Sequence, residues 1–458
     1  MTKVNRKQRV LIMSHDKVGT QMAGPGIRYH YMAETLAETF DVTLGFFGPE
    51  NVPDKAFKHS YKVRHIDVHQ FHDAFRETDV VIALWVSDAI IDFCNKNGKL
   101  LIFDIYAPVP VENLAVKIFS GTKMGEAEDF EFMSQINDYR KFLENGDAFL
   151  YSNKQQLDFW LGYAFGAGQV SPTTFSKRNV YNQFIKAPMG IDTSIKLKKG
   201  APLYKGVLKG VGKDDIVMIW NGGIYNWYDG VTLIEAMRLV WKRDPRIKMI
   251  FPGTEHPTPS MRKWQETIDT VHKAKELQLI GKNVFFFDSW IPYHERLNFL
   301  LEADLGIYTH KPSIETEFSH RTRVLDHILA KLPTIATRGD YFAILTEQEG
   351  LGRTVPAFDP ELLADAIIEA SKPEALARAR KNIERIRPDF DWKKTMAPLI
   401  AYLLSNPQKV PKATPLQGAP TPLRSQRLAL VKRMTPKIVK KAILKAAPAD
   451  LKRKLMGK

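Results

Sequence analysis

Short apolar runs recur along the chain. Each is edged by polar residues and followed by a stretch whose apolar residues return every three or four positions. Arg9–Ser14 is the first run, and Asp41–Phe47, Asp79–Trp85, Lys99–Asp104 and Ala148–Ser152 repeat it. Between them, Tyr29–Thr39 and Gln155–Tyr163 carry helical spacing. A run that is apolar almost throughout suits a strand covered on both faces, as in a parallel sheet with helical crossovers. Around residues 190–212 the pattern lapses into Gly, Lys and Pro, which reads as a linker. The alternation then restarts. Strands are expected at Ile216–Trp220, Ile247–Phe251, Val284–Phe287 and Ala303–Tyr308, with helices at Val231–Trp241 and Pro259–Glu276. Trp392–Leu404 ends the series as an amphipathic helix. The pattern predicts an α/β chain of two doubly wound parallel-sheet domains, residues 1–195 and 205–390. Residues 391–405 are expected to form a crossover helix that packs on the first domain, and a tail starts at 406.

Charge separates the tail from the rest. Residues 406–458 hold fourteen Lys and Arg against one acid, Asp450, so +13 of the chain's +15 lies there and the body is close to neutral. That distribution argues against a nucleic-acid-binding body. In the tail, Leu428, Val431, Met434 or Thr435, Ile438 and Ala442 keep a helical period with lysines on the other face. Thr435-Pro436 and Ala447-Pro448 look like helix starts. A basic amphipathic helix of this kind suits an anionic membrane surface, here through residues 424–458. No run approaches 18 apolar residues, so no transmembrane helix is expected. The single cysteine, Cys94, excludes an internal disulfide and suits a reducing cytoplasm. The expected location is cytoplasmic, peripheral on the inner face of the membrane.

The segment Glu315–Thr337 carries the most chemistry. An acidic, polar loop runs into a helix with Val324, Leu325, Ile328 and Leu329 on one face, which stops at Pro333 before a short apolar strand. Ser319 or Thr322 is placed to cap the helix. Arg321 and Arg323 then lie in or beside its first turn, where the helix dipole favours an anion rather than a cation. Two cations there make sense if a phosphate binds, aided by free backbone N–H groups. As plain surface charges they would need no such partner.

Leu325 to Pro333 resembles the donor-site signature of family-4 glycosyltransferases of the GT-B fold, whose pattern is Glu, seven residues, Glu, then a helix ending in Gly-x-Pro. Asp326 stands for the second glutamate. The resemblance implies that Asp326 holds the nucleotide's ribose, and that Glu315 or Glu317 reaches the donor sugar from a longer loop. The loop Met22–Arg28 is similar to the family's Gly-rich first loop, with Gly24, Gly26 and Arg28 near donor and acceptor. The loop Asn221–Gly230 resembles the family's phosphate loop through Gly222 and Gly223. It lacks the usual Arg and Lys; Asp229 stands where the lysine is expected. Arg321 and Arg323 are then the expected grip on the diphosphate. Asp104, after a first-domain strand, is a candidate to bind sugar hydroxyls or take an acceptor proton; a turn-forming Asp is an equal reading. His15 and Asp16, which end the first strand, are similar candidates, and Arg338-Gly-Asp340, which ends the strand after the signature, is placed to line the base or acceptor side.

The family resemblance further implies retention of anomeric configuration, no metal and no cofactor beyond the nucleotide-sugar donor. With the tail, it points to a lipid-linked or membrane-anchored glycan acceptor, as in cell-surface polysaccharide or glycolipid synthesis. A nucleotide-sugar epimerase of the same fold, or a non-catalytic sugar-nucleotide or RNA-binding protein, are the rival readings. Asp389-Phe-Asp391 mimics a metal-binding Asp-x-Asp but sits where an N-cap is needed. The glycines at 206, 210 and 212 lack P-loop spacing, and the twelve histidines lack metal-ligand spacing.

Overall fold

The computed structural model describes residues 6–54, 56–121, 123–177, 179–253, 264–287, 291 and 295–409. The expected tail helix, and residues 259–263 of the helix expected from Pro259, lie outside the described residues.

Seven parallel strands make the first sheet: β1 Arg9–Ser14, β2 Asp41–Phe46, β3 Lys62–His65, β4 Val80–Ala83, β5 Leu100–Asp104, β6 Ala148–Tyr151 and β7 Phe184–Lys186. Their order is β3-β2-β1-β4-β5-β6-β7. Six more make the second: β8 Ile216–Ile219, β9 Ile247–Pro252, β10 Val284–Phe287, β11 Leu305–Tyr308, β12 Thr334–Thr337 and β13 Gly352–Val355, in the order β10-β9-β8-β11-β12-β13. All pairings are parallel, β1 lying between β2 and β4, and β8 between β9 and β11. In each sheet the order reverses beside the first strand. The loops leaving β1 and β8 therefore open at the switch points, where ligands bind in doubly wound sheets.

Alternation of side chains explains why the strand runs are apolar at every position. Val10 and Ile12 of β1 join one core layer with Met32 and Leu44, whereas Leu11 and Met13 join another with Phe75, Phe103 and Trp160. Three strands were not evident from the sequence. β3 and β13 are edge strands with polar or exposed residues, and β7 has only three residues.

The expected linker is not featureless. Its second half belongs to the second domain: Glu302 accepts backbone N–H bonds from Leu203, Tyr204 and Lys205 at 2.6, 3.0 and 2.9 Å, and Tyr204 is fully buried.

Asp391 caps the last helix, Trp392–Leu404, by accepting from Lys393 N at 2.9 Å, and also binds Thr193 N at 3.3 Å. Trp392 stacks on Tyr31 with centroids 5.4 Å apart, and Lys393 pairs with Glu38 at 2.8 Å. That helix returns the chain to the first domain. A second seam forms where the helix Ile314–Phe318 meets the first domain. Asn153 Nδ2 and Gln156 Nε2 donate to the carbonyls of Ser319 and Phe318 at 3.2 and 3.0 Å, and Phe159 packs on Phe318.

Candidate functional site

A cavity of about 230 Å³ opens between the loop after β1 and the loop after β8. Met22 and Gly24 line it from the first domain; Asn221, Gly222, Gly223, Arg296, Arg323 and Asp326 line it from the second. Gly222 has φ +100°, a conformation glycine adopts without strain, and it carries the chain round immediately after β8.

Arg323 opens the helix Arg323–Ala330, which was expected from its apolar face. Its guanidinium lies 4.1 Å from the Tyr228 ring centroid and 4.9 Å from that of Trp220. One Nη donates to the Gly223 carbonyl at 2.8 Å, and the other is buried without a partner. A cation held over two aromatic faces with an unused donor is placed to take an anion from the cavity.

Asp326 follows one turn later. Arg296 pairs with one of its oxygens at 3.0 Å, and Asn221 Nδ2 donates to the other at 3.1 Å. Burial pushes the Asp326 carboxyl above its ordinary range, and Arg296 and Asn221 oppose that shift. Asn221 is itself fixed. Its Nδ2 also reaches the Arg323 carbonyl at 3.1 Å, and its Oδ1 lies 2.7 Å from His327 Nε2. An amide oxygen can only accept, so Nε2 carries the proton and Nδ1, 3.1 Å from Thr334 Oγ1, is left as an acceptor. Burial depresses the His327 pKa to about 3, so the imidazole is neutral. Gly306 makes this possible: a Cβ there would fall 2.4 Å from the His327 ring.

Several sequence candidates have other partners. Arg321 does not line this cavity. Both its Nη atoms donate to Glu315 at 2.7 Å, and both side chains are buried. Burial disfavours the Arg321 charge, but Glu315 outweighs it and holds the pKa above the ordinary value. The pair exists because residues 314–318, expected as loop, form a short helix whose N-cap, Ser313, accepts from Thr316 N. Glu317, on the same turn, is exposed. Ser319 does not N-cap the helix Arg323–Ala330, where Thr322 holds that position without a side-chain hydrogen bond; it ends the helix Ile314–Phe318, its hydroxyl donating to the Thr316 carbonyl at 3.0 Å.

Asp104 and Arg28 are fully buried and form a two-hydrogen-bond pair at 2.7 and 2.5 Å. Asp104 is therefore not open to a sugar or to an acceptor proton, and Arg28 is not open to a phosphate. Gly26 serves packing rather than ligand approach: a Cβ there would meet the Lys17 carbonyl at 2.1 Å. Asp229 caps the helix Gly230–Arg243 through Thr232 N at 3.0 Å, which accounts for a carboxylate at that position. Asp340 likewise caps the helix Tyr341–Glu349 and accepts from Tyr308 Oη at 2.9 Å.

Two residues that sequence reasoning missed stand out. Arg296 begins a helix and reaches the cavity from a segment with no motif. Glu112, in the first turn of the helix Val109–Ile118, has no hydrogen-bond or ion-pair partner among the described residues. Burial raises its pKa to about 7, with Glu315 adding to the shift. A carboxyl free of partners at a domain seam is a marker of a ligand site.

No family model matches the chain, and no curated protein matches it in sequence. Solved structures do match its path. Sucrose-phosphate synthase from Thermosynechococcus elongatus superposes with a TM-score of 0.61 at 17% identity, covering 88% of this chain and 100% of that one. Anabaena HepE, solved with UDP and glucose, gives 0.59 at 16%, covering 87% and 100%. WaaG, a glycosyltransferase involved in lipopolysaccharide biosynthesis, gives 0.55 at 14%, covering 86% and 99%. What is common at such identities is the course of the backbone, and two parallel sheets facing one cleft over nearly the whole length of each neighbour give this chain the GT-B fold.

Proposed function

We propose that the chain is a glycosyltransferase that takes a sugar from a nucleoside-diphosphate donor held in the cavity at the switch point of the second sheet. One observation carries the reading. Arg323, with an unused Nη, and Asp326, held by Arg296 and Asn221, stand on one short helix and face the glycines of the loop after β8. In this reading Asp326 accepts hydrogen bonds from the ribose hydroxyls and Arg323 meets the diphosphate. As the bond from the anomeric carbon to the phosphate breaks, the leaving group gains negative charge. A preorganised cation at that point stabilises the transition state. Arg296, already in the cavity, adds a second positive charge beside the nucleotide. The neighbours support the choice of ligand: HepE was solved with UDP-glucose, and an E. coli trehalose-6-phosphate protein with UDP-2-fluoro glucose.

The finer assignments extend the same reading. Transfer proceeds with retention and without a metal, since cationic side chains serve the leaving group. The acceptor is a lipid-linked or membrane-anchored glycan, met at the inner face of the membrane through the basic residues after 424. The test is calorimetry with UDP, GDP, ADP and TDP, followed by labelled nucleotide sugars with and without membrane lipid extract. Binding of one diphosphate and lipid-dependent transfer are expected. A chain that binds none of the four overturns the donor pocket. Sugar-nucleotide turnover to an isomer, with no acceptor required, replaces transfer by epimerisation.

A further inference from the structure

The outer edge of the second sheet carries a cavity that the donor reading does not use. Its volume is about 380 Å³, against about 230 Å³ for the cavity at the switch point, and no residue lines both. β13, the end strand of its sheet, supplies Gly352, Arg353 and Thr354. The helix Tyr341–Glu349 adds Thr346 and Glu347. Arg338, expected beside the base or the acceptor, lines this cavity and not the donor cavity. The helix Pro373–Ile386 completes the lining with Ala375, Arg378, Ala379 and Asn382, whose spacing of three and four puts them on one face. Small residues keep the space open. At Gly350, φ +65°, a Cβ would fall 2.9 Å from Asn382 Nδ2, which instead donates to the Gly350 carbonyl at 3.0 Å.

The charges in this lining do not balance, since three arginines stand against one carboxylate. Glu347 Oε1 accepts from Arg338 Nε at 2.9 Å and from the Thr354 hydroxyl. Glu347 Oε2 and both Nη atoms of Arg338 are left without a hydrogen bond among the described residues. Arg353 and Arg378 have no hydrogen-bond or ion-pair partner among them either. Thr346 is 0% exposed, and its hydroxyl is buried without a partner. Helical threonines elsewhere satisfy themselves: Thr35 and Thr270 donate to carbonyls four residues back at 2.7 and 2.6 Å. Guanidinium forks match phosphate oxygens in pairs. No aromatic side chain lines the cavity to stack on a nucleobase, and three cations repel a metal ion. The unused Glu347 oxygen accepts from hydroxyl groups and would repel a second acidic group on the ligand. We propose that this cavity is a second, separate ligand site for a small phosphomonoester with a neutral, hydroxyl-bearing body. Arg353 and Arg378 take its phosphate, and Glu347 Oε2 accepts from its hydroxyls.

Phosphorus NMR and calorimetry on the full chain test this, with inorganic phosphate, glycerol 3-phosphate and glucose 6-phosphate as probes and glycerol and glucose as uncharged controls. At least one ester should bind one to one, more tightly than inorganic phosphate, and its affinity should fall as salt rises. Arg353 and Arg378 are exposed, so their replacement spares the core. Arg353→Ala and Arg378→Ala should each weaken the ester roughly tenfold. Arg323→Ala, in the donor cavity, should leave its affinity unchanged. A chain that binds neither ester overturns the site, as does affinity that survives the loss of both Arg353 and Arg378. Loss in Arg323→Ala alone places the anion in the donor cavity and overturns it too. Equal affinity for inorganic phosphate overturns the hydroxyl-bearing body, and equal affinity for glycerol or glucose overturns the phosphate.

Discussion

The Arg321 guanidinium lies against the Glu315 carboxylate with two 2.7 Å hydrogen bonds, and both side chains are buried. Arg323, two residues on, has a buried Nη with no partner and lines the cavity. The two arginines should therefore fail differently. Arg323→Ala should weaken nucleoside diphosphate binding by about 1.5–3 kcal/mol, the range for a charged hydrogen bond, with little change in folding. Arg321→Ala leaves Glu315 as an unpaired buried charge and should destabilise the fold by about 3–5 kcal/mol. Calorimetry and urea unfolding on both variants decide the matter. Equal loss of nucleotide affinity per folded molecule would return Arg321 to the donor site.

The pair Arg28–Asp104 makes a related prediction. Both groups are 0% exposed, so Asp104→Asn strands the guanidinium and should cost about 3–5 kcal/mol of stability. Replacing both by apolar residues of similar volume should recover most of that loss. If Asp104 took the acceptor proton instead, the double variant would fold well yet show no transfer.

These two pairs mark how far the sequence could be read. The strands of both sheets were legible because burial on two faces forces apolar residues at consecutive positions, as in β5 and β9. The helix carrying Val324, Leu325 and Ile328 was legible for the same reason at helical spacing. The charges were not. Asp104 and Arg28 are 76 positions apart, and only the sheet brings them together. Glu315 and Arg321 looked like separate site residues because the short helix between them, which turns one toward the other, has no apolar period of its own. Arg296 and Glu112 carry no motif: Arg296 gains its meaning from Asp326, with which it pairs, and Glu112 from Glu315 on the other side of the domain seam.

His327 predicts a pH dependence. Its pKa in the folded chain is about 3, below the ordinary 6.5, so the imidazole takes up a proton on unfolding. Its contribution to stability is complete above pH 6.5 and declines as pH falls toward 3, by about 1.4 kcal/mol per pH unit. His30, His310 and His320 have the same sign. Glu112 has the opposite sign, losing stability as pH rises from 4.5 to about 7. His327→Gln keeps a donor toward Asn221 and should flatten the slope of unfolding free energy by about 1.4 kcal/mol per pH unit between about pH 4 and 6. An unchanged slope in urea titrations would mean that His327 is charged in the folded state.

Metal independence is a separate expectation. Among the described residues no three of His, Cys, Asp and Glu are grouped to hold an ion, whereas Arg323 and Arg296 stand in the cavity. Transfer measured in EDTA should equal transfer measured in magnesium. Activity lost in EDTA and restored by magnesium or manganese would assign the diphosphate charge to an ion and leave the arginines a binding role.

The tail should bind membranes and be dispensable for nucleotide binding. Of the chain's +15, +13 lies after residue 405, so the attraction for anionic lipid resides there and the body contributes little. Each Lys or Arg near such a surface adds about 1 kcal/mol. The place of truncation follows from the structure. Lys409 reaches back to the fully buried Asp147 at 2.9 Å, so a chain ending at Ser405 would remove a partner from a first-domain carboxylate. A chain ending at Lys412 keeps that pair and still discards twelve of the fourteen tail cations, since only Lys409 and Lys412 precede Arg424. The chain ending at Lys412 should fold, bind nucleoside diphosphate as the intact chain does, and lose its affinity for vesicles containing anionic lipid. Flotation of the intact chain should fall as salt rises, because the attraction is screened within about 10 Å at 0.1 M. Equal flotation of the shortened and intact chains would place the membrane contact on the body, where the near-neutral charge offers no electrostatic reason for it.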